Sequence, residues 1–357
     1  MSPDVASVIA RALSLTATLQ AAGIAIFLAS VGGYLGESRR FILRAAQLFM
    51  VLSAPRLLTQ YAIEAARMAD AWPGIFDARF QQMAMTSGGG VVLGVRLAGL
   101  AAIALGLRPS ASRRRRVTSI AVGAVILAAS FALTGHTVVH PLRPLLAPLL
   151  IAHVLIVTFW LGALLPLYVA CRHETSVQPG QAVVAFSATA TWLVPCIAIA
   201  GALMILGVVQ DVGIYWERYG ELLLTKIGGF ATLMSLAALN RWRLGPAIST
   251  GGPPSMRAFR RALVVSVWSR LPLVTEYVLM SAVVSITAVM TSLYSPEHKE
   301  VDRCDAELAT NDYRASPTDL AVNRRKTNGL TDPQPSTKDS PKYRCRMAGV
   351  GLAFAPK

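Results

Sequence analysis

The chain has 357 residues, of which 54% are hydrophobic and 15% charged, and its formal net charge is +15. The apolar residues fall in runs of about 20, the length that a hydrocarbon core of roughly 30 Å requires of a spanning helix. That places the chain among membrane proteins. The basic excess gathers in the loops between the runs, where it sets topology and attracts anionic membrane lipids, and it implies no nucleic acid partner.

About eight runs have spanning length: residues 8–31, 41–63, 91–107, 117–134, 145–170, 182–209, 222–239 and 271–293. The first is too long for a signal-peptide core, lacks a basic segment ahead of it and meets no small-residue cleavage site, so it reads as a retained helix. The third is the shortest and carries Arg96. The fold class is therefore all-α: a polytopic membrane helical bundle of about eight transmembrane helices, with a disordered polar C-terminal tail.

Arg39, Arg40 and Arg44 follow the first run, Arg108 and Arg113 to Arg116 the third, Arg172 the fifth, and Arg241, Arg243, Arg257, Arg260 and Arg261 the seventh. Cytoplasmic loops carry the excess of Lys and Arg, so these loops are expected inside. The alternate loops hold far less: Arg67 and Arg79, then Arg143, then Arg218 offset by Asp211, Glu217 and Glu221. Those loops, and both termini, are expected on the outer, periplasmic side.

The composition changes after the last run. Residues 296–357 are polar, of mixed charge and without an apolar period, and cannot bury enough surface to fold alone. Cys304 and Cys345 lie in this tail, where a disulfide can form on an oxidising side. Cys171 and Cys196 lie at the end of the fifth run and inside the sixth, without metal-ligand spacing, and read as structural.

A charged group at the centre of a spanning helix costs about 2.5–3.5 kcal/mol on insertion scales, so such groups mark function or a partner. Arg96, His153 and Lys226 lie on inward-running helices, each within about two turns of the outer end, and Glu64 lies near the outer end of an outward-running one. A rise of about 1.5 Å per residue puts the four in one layer of the outer leaflet. The bland reading is that Arg96 and Lys226 snorkel to headgroups while Glu64 rests in the interface. Glu276 lies nearer the cytoplasmic end, at the opposite depth, either paired with Arg270 in a structural role or on an exit path.

Three of the 5 histidines cluster where one helix leaves the membrane and the next returns: His136, His140 and His153. Imidazole suits copper, as do thioethers, and Met83 and Met85 form an M-x-M pair in the outer loop before the third run, with Met204 and Met290 near the outer ends of theirs. Each of these Met residues also reads as an ordinary core filler, and a lone membrane histidine as an interhelical hydrogen-bonding group. Trp160 follows His153 by seven residues, about two turns, and so shares its face, while Gly162 removes a side chain and lets another helix approach.

These elements resemble the copper resistance protein D (CopD) family of bacterial inner-membrane proteins. The resemblance rests on Thr134-Gly135-His136, His153 with Trp160-Leu161-Gly162, the run from Tyr219-Gly220 to Lys226, Asn240-Arg241, and Arg270 with Glu276, in that order over residues 120–295. Gly94-Val95-Arg96-Leu97 extends it more weakly toward the N-terminus. It implies a CopD-like transmembrane domain over residues 1–295, copper ion as the substrate handled in uptake or tolerance, a CopC-like periplasmic copper-binding protein as partner, and functional roles for the histidines and Lys226. Two departures stand out. No CopC-like domain occurs in the 357 residues, so the expected partner is a separate protein, and the long polar tail has no counterpart in the family.

No Walker motif, GxSxG, HExxH or D-K-T-G sequence occurs, which argues against an enzyme or an ATP-driven pump. The leading expectation is a copper transporter that binds at its outer face through His136, His140 and His153, with Met83 and Met85 helping and Trp160, Lys226, Arg96 and Glu64 supporting. A membrane haem or electron-transfer protein is the alternative, with His136 and His153 as axial ligands. A third reading is a structural membrane partner whose polar residues only pack helices. A Soret band in purified protein separates the second from the others.

Overall fold

A computed structural model describes residues 2–134, 141–173, 178–208, 218–249 and 256–293. The chain divides into two units, Met1–Leu293 and Tyr294–Lys357. The second, with the expected tail and Cys304 and Cys345, lies outside the described residues, as do His136 and His140.

The described residues are helical, with no strand among them. The helices are α1 (Pro3–Ser30), α2 (Ser38–Met68), α3 (Ala78–Ala84), α4 (Gly90–Gly106), α5 (Arg113–Ala129), α6 (Arg143–His173), α7 (Gln178–Val208), α8 (Arg218–Ser249) and α9 (Met256–Leu293). Eight stretches are long and apolar enough to cross a membrane, with α3 and α4 joined as one, Ala78–Gly106.

This third span differs from its sequence expectation. The segment holding Met83 and Met85 is not an open loop: α3 and the turn Met85–Gly89 lead into α4 across a kink at Gly88. Gly88 takes φ 85°, a left-handed value that costs glycine little, and so forms the kink between α3 and α4. The other helices overrun their apolar runs at one or both ends, because turns in the headgroup region need not be apolar. Prolines lie inside α2, α6 and α7 (Pro55, Pro148, Pro166, Pro195), as membrane helices tolerate when neighbouring groups satisfy the freed carbonyls.

Helix α1 is the most enclosed: 67% of its most apolar window is buried, against 11% for those of α7 and α8. Small residues explain this, since Ala17, Ala21, Ala22, Gly23 and Ala25 leave room for neighbours on several sides. The closest neighbour is α6, whose Gly162 meets Gly23 backbone to backbone; a Cβ on Gly162 would lie 2.2 Å from Gly23 Cα. Gly99 and Gly123 bring α4 and α5 together in the same way. At the periphery, α7 exposes Val184, Trp192, Ile199 and Leu206, an apolar surface suited to lipid.

Side-chain hydrogen bonds tie the bundle at the end where α1 begins. Arg11 on α1 donates to the Thr291 carbonyl at 2.8 Å and Arg67 on α2 to the Ser292 carbonyl at 3.0 Å. Both carbonyls belong to the last turn of α9, where the backbone has no helical partner and the dipole favours a cation.

Candidate functional site

His153 sits in the third turn of α6, facing α7. Its ring approaches the backbone carbonyl of Ile197 and feels the charge of Lys226 on α8. A Cβ on Gly201 would lie 3.9 Å from its Cε1, ordinary contact distance, which places the ring against α7 at that level. The Nδ1 atom is buried and has no hydrogen-bond partner. Farther along the seam, Leu146 packs on Gly207, and Trp160 shares a small apolar niche with Ala190 and Leu193. The two helices therefore run antiparallel. Met204, three residues past Gly201, falls on the same face of α7, between the levels of His153 and Leu146. Trp160 is buried beside Phe159 and Phe186, on the face it was expected to share with His153.

Lys226 is partly exposed and has no ion pair or hydrogen bond among the described residues. Its one described interaction is with His153, as the common depth of the two suggests.

Arg96 and Glu64 lie at the end of the bundle where α1 begins but in other company. Arg96 is buried on α4, donates through Nε to Ser130 Oγ at 3.2 Å, and places its guanidinium carbon 4.9 Å from the centre of the Phe131 ring. Its charged neighbour is Arg11. Glu64 pairs with Arg67 at 2.7 Å, accepts from Ser7 Oγ at 3.5 Å, and lies close enough to Arg11 for their charges to interact. Arg11 is thus the link between them. Ser14 on the next turn of α1 bonds to Gln60 Oε1 on α2.

The sequence offered no motif for Arg11 or for Gln20. Gln20 is fully buried in the middle of α1, and neither its Oε1 nor its Nε2 has a partner. A lone amide in an otherwise apolar stretch of small residues was the available signal. An unsatisfied buried amide costs about 1–3 kcal/mol, which marks Gln20 as a polar station inside the bundle.

Met83 and Met85 are exposed, on α3 and in the π-helical turn. Cys196 is a free, exposed thiol on α7. Glu276 is buried on α9, and the side chain of its expected partner Arg270 lies outside the described residues. Because His136 and His140 also lie outside them, neither the three-histidine copper route nor the His136/His153 haem pairing is placed. Among the described residues no three His, Cys, Asp or Glu side chains come together.

Residues 1–141 match the family model described as copper resistance protein D-like, N-terminal domain, and residues 180–290 match the model described as copper resistance protein D. Arg11, Glu64, Met83, Met85, Arg96, His136 and His140 fall in the first match and Lys226 in the second, while His153 and Trp160 lie between the two. No curated protein and no solved structure matches the chain. Two family models in succession, on a bundle with eight helices able to span a membrane, make the chain a member of the copper resistance protein D family.

Proposed function

We propose that this copper resistance membrane protein moves copper ion across the bacterial inner membrane, taking it at the periplasmic face from a CopC-like carrier. His136 and His140 receive the ion and His153 passes it inward. The observation that carries this reading is the buried, unpartnered Nδ1 of His153, on a ring whose Cε1 edge lies against α7 at Gly201. A ligating histidine usually commits its other ring nitrogen to a carbonyl or carboxylate, and the nearby Ile197 carbonyl is the candidate for that role. A proton held on Nε2 would leave Nδ1 with a free lone pair for metal.

Conduction requires a site that binds without trapping. A single imidazole supported by Met204 meets that need, and the positive charge of Lys226 shortens the stay of a cation beside it. With no nucleotide-binding motif in the sequence, the ion moves down its own gradient, with the membrane potential, or by hand-over from the carrier.

Metal analysis of purified protein tests this reading. The wild type is expected to retain copper, and a variant with His136, His140 and His153 all changed to Ala to lose it. Equal copper in both would refute the histidine route, and a Soret band in the wild type would favour the haem alternative.

A further inference from the structure

Far from His153, at the opposite end of α1, the bundle holds a cavity of about 170 Å³ lined by Leu28, Arg39, Leu43, Leu107, Pro109 and Arg116. The cavity lies where α1 and α4 end and α2 and α5 begin. Two of its walls are guanidinium-bearing and the rest are apolar. Among the described residues Arg39 forms no side-chain hydrogen bond or ion pair, and Arg116 donates only to the Ala111 carbonyl, at 3.4 Å. No carboxylate neutralises either among the described residues.

Two cations facing one cavity without an acid repel each other, and an anion between them removes that cost. The starts of α2 and α5 add partial positive charge from the same side. Guanidinium pairs suit phosphate because their donors match its oxygens. The apolar walls add a second requirement: free phosphate gains nothing from Leu28, Leu43 and Leu107, whereas the first carbons of an acylated glycerol are covered by them.

We propose that this cavity seats the phosphate headgroup of an anionic phospholipid, held by Arg39 and Arg116 with its chains running down the outside of the bundle. The site is independent of the copper route. It ties four helix ends through one lipid and makes stability of the fold depend on lipid charge.

The test uses the full chain purified in detergent, with phosphatidylglycerol and phosphatidylcholine of identical chains as probes and inorganic phosphate as competitor. Wild type should retain phosphatidylglycerol in native mass spectrometry and gain thermal stability from it, but not from phosphatidylcholine. R39Q/R116Q should weaken retention about tenfold or more, as loss of charge-assisted hydrogen bonds does, and R39K/R116K should restore part of it. R113Q/R114Q, which removes the same charge outside the cavity, should behave as wild type. If R39Q/R116Q fails to fold, Leu43→Phe, which fills the cavity and keeps both arginines, should lose retention instead. Retention unchanged in R39Q/R116Q or Leu43→Phe, equal loss in R113Q/R114Q, or displacement by equimolar inorganic phosphate would each overturn the proposal.

Discussion

Gly23 and Gly162 stand so close that a Cβ on Gly23 would lie 2.0 Å from the Thr158 carbonyl oxygen and 2.6 Å from Gly162 Cα. The atoms in the way are backbone, which cannot swing aside as a side chain can. This contact fixes α6 against the central helix, and α6 carries both His153 and Trp160. The position of the imidazole therefore depends on two missing side chains.

Gly162→Ala is expected to destabilise the bundle by about 1–3 kcal/mol, the cost of forcing added volume into a packed interior. Gly94→Ala, where a Cβ would meet nothing within 4 Å, is expected to change stability little or to raise it. Thermal unfolding in detergent checks both, and equal midpoints for the two variants would contradict the close approach.

Arg67→Ala removes the ion pair with Glu64 and the bond to the Ser292 carbonyl together. Both groups are partly solvated, so the expected loss is modest, about 1 kcal/mol. The lock also predicts a local effect. Amide exchange in the last turn of α9 should rise in Arg67→Ala and Arg11→Ala, while exchange at the start of α5 stays as in the wild type.

Much of the architecture was legible because a spanning helix needs a long apolar run, and such runs are hard to mistake. Depth was legible for the same reason: a fixed rise per residue put Glu64 and Arg96 at one end of the bundle, and Arg11 links them there. Facing was not. Depth does not say which neighbour a side chain meets, so it did not separate Lys226, beside His153, from Arg96, beside Ser130 and Phe131. The stretch before the third span, expected as a loop holding Met83 and Met85, is instead helical up to a kink, because only Gly88 there takes a left-handed conformation. The approach at Gly162 was expected from its lost side chain, but its partner Gly23 was not named, since nothing in one chain says which small residues face each other.

Gln20→Leu is expected to raise thermal stability by about 1–2 kcal/mol, because an apolar side chain of similar volume replaces an amide with no partner. If the amide is a station on the copper route, the same variant should also lower copper accumulation at matched protein level. A variant less stable than wild type would show that the amide is satisfied in the membrane.

Reporter fusions after Ala111 and after Pro296 should give opposite signals, because the arginines segregate between alternate loops. The first fusion should report the cytoplasm and the second the periplasm. Identical signals would mean that the number of crossings between the two sites is even.

The central claim is that copper passes by His153, and copper accumulation in cells carrying His153→Ala tests it most directly. At protein levels matched to the wild type, the variant should insert in the membrane normally and lose copper-dependent accumulation, since one imidazole adds little to the burial of so apolar a bundle. His136→Ala and His140→Ala should each reduce it by less, because water and the remaining histidine can partly substitute. Wild-type accumulation in the His153→Ala cells would contradict the account and leave the imidazole as a packing residue between α6 and α7.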